Sequence, residues 1–304
     1  MPESVRIVEV GPRDGLQNEK AVVPVTTKIE LIERLAAAGL RSIEVGSFVS
    51  PKRVPQMADT DQIVRLLSMD DEIRYPVLVP NQQGMAAAIG AGAREIAIFA
   101  SASEMFSAKN INCSIAESIE RFRPVIEMAK ANSVAVRGYV SCVLGCPYEG
   151  AVAIQAVVSV SQKLAELGCY EVSLGDTIGI GTSRQARAVV RAVAQELGAD
   201  VLAVHFHDTR GQALVNILAC LEEGVAVVDS AVAGLGGCPY ARGATGNVST
   251  EDLVFMLHGM GVETGVDLGA VVEAGRFISD ELGRPTGSKV AQAMIASGDS
   301  ESTM

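Results

Sequence analysis

Two histidines stand two positions apart in the apolar segment LAVHFHDT (residues 202–209), where they could ligate a metal ion. The chain has only three histidines, so His205 and His207 concentrate most of that chemistry in one segment. Side chains alternate along a β-strand, and residues two apart therefore project from the same face. A lone histidine is usually a satisfied core residue, but two imidazoles on one face of a buried strand are costly unless bonded or ligated. The spacing favours a metal site.

Two oxygen-bearing side chains could complete this site. Asp14 follows the first apolar segment in GPRDGLQNEK (11–20), and Asn247 ends the glycine-rich loop AGLGGCPYARGATGN (233–247). Neutral imidazoles with carboxylate and amide oxygens suit Mg²⁺ or Mn²⁺ with open positions for substrate oxygens, and these ligand types also allow Zn²⁺. For Arg13 and Asp14 the alternative is a solvated ion pair in a turn.

Other polar residues sit at the ends of apolar segments. Glu44 lies inside SIEVGSF (42–48), so an inward side chain would need a cationic partner, and Arg13 is the nearest candidate. Asp176 and Thr177 end EVSLGDT (171–177). They either face the same site or cap the next helix.

The glycine-rich loop also carries Cys238. A phosphate-binding loop is a poor interpretation, because the Lys-Ser/Thr pair is missing and no helix follows at the required spacing. A lid that brings Cys238 to the substrate fits better. The alternative is an inert cysteine that packs as a small hydrophobe.

The elements that position these residues alternate along the chain. Apolar segments rich in Val, Ile and Ala are each followed by a stretch of helical period, which indicates parallel strands alternating with helices. Several helical stretches end at a glycine, namely Gly39, Gly92, Gly168 and Gly224, where a left-handed cap is expected. The eight predicted strands are 5–10, 42–48, 74–80, 95–103, 135–142, 171–177, 202–209 and 227–235. The clearest predicted helices are 26–39, 114–131 and 153–168.

Eight βα units at this spacing predict an α/β fold, a (β/α)8 TIM barrel, in preference to an open doubly wound sheet. We expect one catalytic domain over residues 1–295, with an extra C-terminal helix at 266–283 and a flexible tail at 296–304. In such barrels the site lies at the carboxyl ends of the strands, where the polar residues described above fall.

Composition limits the partners and the compartment. The chain has 304 residues, 48% of them hydrophobic, and a formal net charge of −11, which argues against a nucleic-acid surface. No apolar stretch is long enough to span a bilayer, and the N-terminal segment leaves no room for a signal peptide. We therefore expect a cytoplasmic protein that contacts no membrane. Its six cysteines should be reduced, and Cys142 and Cys146 are too weak a pair to predict a metal site.

Seven segments together resemble the 3-hydroxy-3-methylglutaryl-CoA lyase family, a group within the metal-dependent barrel lyases and condensing enzymes. The resemblance covers nearly the whole chain, and the cysteine-bearing loop is its most specific part. The matching segments are VEVGPRDGLQNEK, IEVGSFVSPKRVPQMAD, SASEMFSAKNINCS, VRGYVSCVLGCPYEG, GCYEVSLGDTIGIGT, HFHDTRGQALVN and SAVAGLGGCPYARGATGN.

The resemblance implies a (β/α)8 barrel that binds Mg²⁺ or Mn²⁺ and cleaves 3-hydroxy-3-methylglutaryl-CoA into acetoacetate and acetyl-CoA, a reaction of leucine catabolism. It assigns the metal to Asp14, His205, His207 and Asn247. Arg13 would stabilise the enolate, Glu44 would support Arg13, and Cys238 would be the acid/base on the lid. Either Asp14 or His205 would take the hydroxyl proton. Predicted substrate contacts are Arg13, Gln17, Ser47, Asp176 and Thr177.

Three residues depart from the expected pattern, and they bear on the substrate. Arg53 stands where Trp is usual, Arg210 where Tyr is common, and Gln83 where Lys is frequent. A different 3-hydroxyacyl-CoA is therefore the nearest alternative. A condensing synthase is disfavoured because no C-terminal regulatory region follows, and a catalytically silent metal-binding scaffold has no need of Cys238. A homodimer is possible.

Overall fold

Eight parallel strands form one sheet in the computed structural model, which describes residues 1–67, 72–237 and 246–297. Neighbouring strands follow chain order, and β1 pairs with β8 in register from Arg6 opposite Val227 to Glu9 opposite Ser230. The strands are β1 Arg6–Glu9, β2 Gly46–Ser47, β3 Val77–Leu78, β4 Glu95–Ser101, β5 Ala135–Ser141, β6 Glu171–Asp176, β7 Leu202–Phe206 and β8 Val227–Ser230.

The sheet closes between β1 and the segment that enters β2. The backbone N–H of Glu9 donates to the carbonyl of Ser42 (2.9 Å), and that of Glu44 donates to the carbonyl of Glu9 (2.8 Å). These two bonds join the first strand to the second, while the β1–β8 ladder joins it to the last. The fold is therefore a closed (β/α)8 barrel, as predicted, and the open doubly wound alternative is wrong.

Helices surround the barrel and bury their apolar faces against it. Ser114 caps α5 and Asn81 caps α3, each by accepting a bond from a backbone N–H of the first turn. The helices are α1 Val25–Ala37, α2 Thr60–Leu66, α3 Gln82–Ala91, α4 Glu104–Ile111, α5 Ile115–Ala131, α6 Ile154–Leu167, α7 Ser183–Leu197, α8 Ala213–Leu221, α9 Thr250–Gly259, α10 Leu268–Glu281 and α11 Lys289–Ser297.

Most predicted boundaries agree with these bounds to within a few residues. The four glycines predicted to end helices all adopt positive φ, from +92° at Gly92 to +110° at Gly168. The predicted C-terminal helix is α10, which packs against α1. A further helix, α11, extends to Ser297, two residues into the predicted tail, and the rest of that tail lies outside the described residues. None of the helices in the described ranges is long and apolar enough to cross a membrane.

Two layers make up the interior. Between the sheet and the helices lies a continuous apolar core that includes Leu31, Val125 and Ile217. Within the barrel itself lie buried charged side chains, among them Arg137 and Asp229, which are 1% and 2% exposed. Rigid strands therefore carry polar side chains inside the barrel as well as apolar ones.

Candidate metal centre and active site

Asp14, His205 and His207 come together at the carboxyl ends of the strands. One ligand atom from each lies within 4.8 Å of the other two. Asp14 lies in a wide helical turn, Gly11–Gly15, directly after β1, and the histidines lie at the end of β7. The two imidazole centroids are 5.5 Å apart, as expected for side chains that share one strand face. These three residues form the cluster that the sequence predicted.

The protonation and bonding of these groups fit a divalent cation. Burial favours a neutral Asp14, but the nearby charge of Arg13, together with the histidines, lowers the pKa of the carboxyl to about 2. Burial lowers the pKa of His207 to about 4, so its imidazole is neutral at pH 7. The buried Nδ1 of His207 has no hydrogen-bond partner among the described residues. A carboxylate and two imidazoles, one of which has an unpaired buried nitrogen, are a donor set that a metal ion would satisfy.

Asn247 joins the cluster from the segment between β8 and α9. Its Nδ2 donates to Asp14 Oδ2 (2.9 Å) and to the carbonyl of Leu235 (3.2 Å). A backbone bridge also pairs Asn247 with His207. The fourth predicted ligand is thus in contact with the first, and its amide can present oxygen or nitrogen after rotation about its side chain.

Arg13 and Glu44 form the ion pair that the sequence predicted. Arg13 Nε donates to Glu44 Oε2 (2.6 Å), and Arg13 Nη1 donates to Asp14 Oδ1 (2.7 Å). Burial raises the pKa of Glu44 while Arg13 opposes this rise, and Glu44 and Asp14 hold the pKa of Arg13 above its usual value despite burial. We take the pair as ionised, because a guanidinium this close to two carboxylates does not lose its proton.

These residues face a cleft of about 520 Å³ at the barrel mouth. Arg13, Asp14, His205 and His207 line it together with the predicted substrate contacts Gln17 and Thr177. Thr177 Oγ1 also accepts a bond from the backbone of Cys142 (2.9 Å). Part of the wall comes from α4, a helix inserted after β4, through Phe106, Asn110 and Ile111. The size of the cleft suits a small acyl group.

Two predicted substrate contacts lie elsewhere. Ser47 is buried, donates to the carbonyl of Leu78 (3.3 Å) and lines a separate groove beside the cleft. Asp176 accepts bonds from the backbone N–H groups of Ile180 (3.2 Å) and Gly181 (2.8 Å), and burial raises its pKa. Its carboxylate therefore orders the loop that leads into α7. This role resembles the alternative interpretation, in which Asp176 caps the next helix. Neither residue lines the cleft, and their contact with substrate stays a prediction.

Cys238, the predicted lid residue, lies outside the described residues. The loop on which it stands is described up to Gly237, whose carbonyl accepts a bond from Asn18 Nδ2 (3.0 Å). Gly237 lines the cleft. The acid/base role of Cys238 therefore stays a prediction.

A buried ion network beneath the cleft was missed by the sequence reasoning. Arg137 donates from Nη2 to Asp229 Oδ1 (2.6 Å) and from Nε to Glu171 Oε1 (2.6 Å). Asp229 Oδ2 in turn lies 3.2 Å from Nδ1 of His205. One signal was available: Arg137 and Asp229 are charged residues inside apolar strands, so each would be expected to need a partner of opposite charge.

Tyr139 connects the two charged clusters. Two guanidinium groups lie close to its ring, with Cζ of Arg137 at 5.0 Å and Cζ of Arg13 at 5.7 Å from its centroid. The His205 ring meets it edge-on at 5.9 Å, and its hydroxyl accepts from Arg137 Nη1 (2.9 Å). Tyr139 therefore contacts both charged clusters, and its ring can interact favourably with either guanidinium.

The HMGL-like family model matches residues 4–278, which include every described residue of the site. The chain belongs to the HMGL-like family. Among its relatives, the cytoplasmic 3-hydroxy-3-methylglutaryl-CoA lyase of Danio rerio is 60% identical over 96% of this chain and 88% of that protein. The mitochondrial hydroxymethylglutaryl-CoA lyase of Gallus gallus is 58% identical over 96% of this chain and 98% of that protein.

A solved structure agrees with this assignment to the HMGL-like family. The crystal structure of hydroxymethylglutaryl-CoA lyase from Pseudomonas aeruginosa superposes with a TM-score of 0.96 at 56% identity, covering 98% of this chain and 99% of that one. The barrel described above is therefore the fold of that enzyme. The family resemblance inferred from the sequence is confirmed.

The three residues that depart from the expected HMGL-like pattern lie in different places. Arg53 is exposed and lines the cleft. Gln83 lines the neighbouring groove, and Arg210 donates from Nη1 to the carbonyls of Ile178 (2.9 Å) and Gly179 (3.0 Å). Of the three, Arg53 alone borders the space where an acyl group would lie.

Proposed function

We propose that this chain is a hydroxymethylglutaryl-CoA lyase, which cleaves 3-hydroxy-3-methylglutaryl-CoA into acetoacetate and acetyl-CoA. The observation that carries the proposal is the convergence of Asp14, His205, His207 and the Arg13–Glu44 pair on one cleft. The family relatives act on this thioester by name. In the reaction the C2–C3 bond breaks, its electrons pass to the thioester as an enolate, and the C3 hydroxyl loses its proton.

The metal part of the proposal rests on the ligand set. Asp14, His205, His207 and Asn247 would hold Mg²⁺ or Mn²⁺, which in such sites polarises substrate oxygens and lowers the pKa of a coordinated hydroxyl. Mg²⁺ is a weak Lewis acid, so a base is still required. Asp14 and His205 both border the cleft and are the candidates to accept the hydroxyl proton.

Arg13 is placed to stabilise the enolate. Glu44 binds its Nε and Asp14 its Nη1, and among the described residues nothing bonds to Nη2. A buried, preorganised cation is the group that best stabilises negative charge developing on a thioester oxygen. Glu44 holds the guanidinium in place, and Cys238 would deliver a proton to the enolate carbon of acetyl-CoA from the closing lid.

A cleavage assay tests this function. The purified protein is incubated with Mg²⁺ and, separately, 3-hydroxy-3-methylglutaryl-CoA, 3-hydroxybutyryl-CoA and 3-hydroxyglutaryl-CoA. Mass spectrometry measures the release of acetyl-CoA and of the carbonyl product, which is an aldehyde for 3-hydroxybutyryl-CoA and an oxo acid for the other two. We expect cleavage of the first thioester, loss of activity in EDTA and its recovery with Mn²⁺. Preferential cleavage of another thioester would favour the alternative in which Arg53 selects a different acyl chain. Absence of cleavage with all three would contradict the proposal.

A further inference from the structure

We propose that Asp229 is a positioning residue that fixes the ring orientation and the tautomer of His205 for metal binding. The inference rests on the metal site of the proposed function. It does not depend on which thioester is cleaved.

The contact between the two residues is direct and follows from strand register. Asp229 in β8 lies opposite His205 in β7, and its Oδ2 is 3.2 Å from Nδ1 of the imidazole. A carboxylate can only accept a hydrogen bond, so Nδ1 must carry the proton. The other ring nitrogen, Nε2, lies 3.9 Å from Asp14 Oδ2, on the side of the candidate metal ligands, and it must be unprotonated to bind a metal ion. A histidine that binds metal through one nitrogen commonly donates its other N–H to such a carboxylate.

Asp229 is itself held rigidly. Arg137 binds both of its oxygens, with Nη2 at 2.6 Å from Oδ1 and Nη1 at 3.1 Å from Oδ2. Ser173 Oγ donates to Oδ2 from β6 at 2.9 Å. Two parallel bonds from a guanidinium fix the plane of a carboxylate as well as its position. These bonds from β5 and β6, together with the backbone of β8, therefore orient Oδ2 of Asp229 toward His205.

An alternative role for Asp229 is to balance the charge of Arg137, without any effect on His205. The chain supplies a matched control for this alternative. Glu171 is also buried, and its Oε1 accepts from Arg137 Nε at 2.6 Å. Unlike Asp229, it has no contact with either histidine of the site in the described part of the chain. Charge balance predicts the same effect from neutralising either carboxylate, whereas positioning predicts an effect from Asp229 alone.

The wild-type protein provides a first test that needs no variant. Nitrogen-15 NMR of histidine-labelled, metal-free protein distinguishes protonated from unprotonated ring nitrogens, and the chain has only three histidines to assign. We expect Nδ1 of His205 to carry a proton. Finding Nδ1 unprotonated, with the proton on Nε2 instead, would overturn the proposal even if no substitution at Asp229 yields a folded protein.

The second test compares Asp229→Asn with Glu171→Gln. The amide presents His205 with a neutral oxygen or with an N–H group, and both weaken the contact. We expect Asp229→Asn to bind Mn²⁺ about 10- to 100-fold more weakly by isothermal titration, the usual cost of losing such a partner. Glu171→Gln should change the Mn²⁺ affinity by about threefold or less, since it leaves the contact to His205 intact. Equal losses in the two variants would refute positioning.

The test separates this inference from the proposed function. If the wild type binds Mn²⁺ and gives the expected NMR signature but cleaves none of the thioesters, the lyase proposal fails and the role of Asp229 stands. If the lyase reaction is observed while Asp229→Asn binds Mn²⁺ like the wild type, only the role of Asp229 fails.

Discussion

The guanidinium of Arg13 is bonded on two of its three nitrogens, by Glu44 and by Asp14. This arrangement uses two anions to orient one cation, and it explains why Glu44 is tolerated inside an apolar strand. Removing Glu44 would free the guanidinium to rotate, and removing Arg13 would leave a buried carboxylate without its partner. At the scale of single residues, the site is therefore a set of mutually dependent charges.

Replacing Arg13 with Ala should lower kcat on the order of a hundredfold to a thousandfold, the usual effect of losing a preorganised charge at a developing oxyanion. KM should change much less, because the interaction strengthens as the enolate forms. Steady-state kinetics on 3-hydroxy-3-methylglutaryl-CoA measures both. Arg13→Lys is the control. It keeps the positive charge but loses the planar set of N–H donors, and it should recover part of the rate. An effect confined to KM would mean that Arg13 only binds substrate.

Local patterns in the sequence were enough to predict some of these residues and not others. His205 and His207 could be predicted because their spacing alone places them on one strand face. Glu44 and Arg13 could be paired because they lie on consecutive strands. Arg137 and Asp229 could not, since they sit on β5 and β8 and meet across the interior of the barrel. Which side chains meet there depends on strand register, which composition and periodicity do not encode.

At the scale of elements, the strands and helices were predicted well where the apolar pattern was long. The predicted strands 42–48 and 74–80 each contain only two residues of continuous strand, Gly46–Ser47 and Val77–Leu78. Single bridges extend these strands, as between Ser42 and Arg74. The helix α11 was missed because its nine residues are too few for a helical period to stand out in the sequence. Helix ends were predicted best, because a glycine in the left-handed region leaves little choice.

Gly39, between α1 and the entry to β2, is predicted to be intolerant of a side chain. Its φ is +97°, and an added Cβ would lie 2.1 Å from the carbonyl oxygen of Gly265. Gly224 has a similar φ of +94°, but the nearest atom to an added Cβ is Ala199 Cβ at 3.5 Å. Both alanine variants should lose about 1 kcal/mol of stability from backbone strain. Gly39→Ala should lose at least about 1 kcal/mol more, because backbone must move.

Urea unfolding of the two variants measures this difference. Gly224→Ala is the matched control, since it carries the same conformational penalty without the clash. Equal free energies of unfolding would indicate that the segment around Gly265 gives way easily. That result would contradict a tight packing of α1 against the loop before α10.

At the scale of the whole molecule, two buried carboxyl groups join the first strand to the last part of the barrel. Glu9 in β1 accepts bonds from the backbone of Gly11 (2.7 Å) and Val232 (2.9 Å). Glu251 in α9 accepts from the backbone of Ala233 (2.9 Å). Burial raises the pKa of Glu9 to about 7 and that of Glu251 to about 8, with the charge of Glu9 adding to the latter. The folded protein therefore binds two protons that the unfolded chain releases near pH 4.5.

This difference predicts how stability depends on pH. The native state holds its protons more tightly, so the stabilisation is complete below about pH 4.5 and is lost as the pH rises through 7 to 8. At about 1.4 kcal/mol for each pKa unit, Glu9 contributes about 3 kcal/mol and Glu251 about 5 kcal/mol across that range. His207 has an opposite effect between pH 4 and 6.5, because its pKa is lowered. A comparison between variants cancels this effect.

The variant Glu9→Gln/Glu251→Gln keeps both side chains neutral at every pH. We expect the free energy of unfolding of the wild type, relative to this variant, to fall steadily from pH 4.5 to pH 8 in urea titrations. Glu33→Gln, on an exposed position of α1, is the control and should follow the wild type. A difference that does not depend on pH would show that Glu9 and Glu251 are ionised in the folded protein.

The candidate ligands come from the two ends of the chain and meet only because β1 pairs with β8. Asp14 follows β1, while His205, His207 and Asn247 belong to the last quarter of the barrel. A cation held by all four would cross-link the segment after β1 to the last strands of the barrel. It would bind tightly while β1 and β8 are paired and weakly once they separate. Binding of the cation would therefore raise the free energy of unfolding of the protein, by an amount set by its affinity for the closed barrel. The same residues that serve the chemistry would then also stabilise the closed barrel.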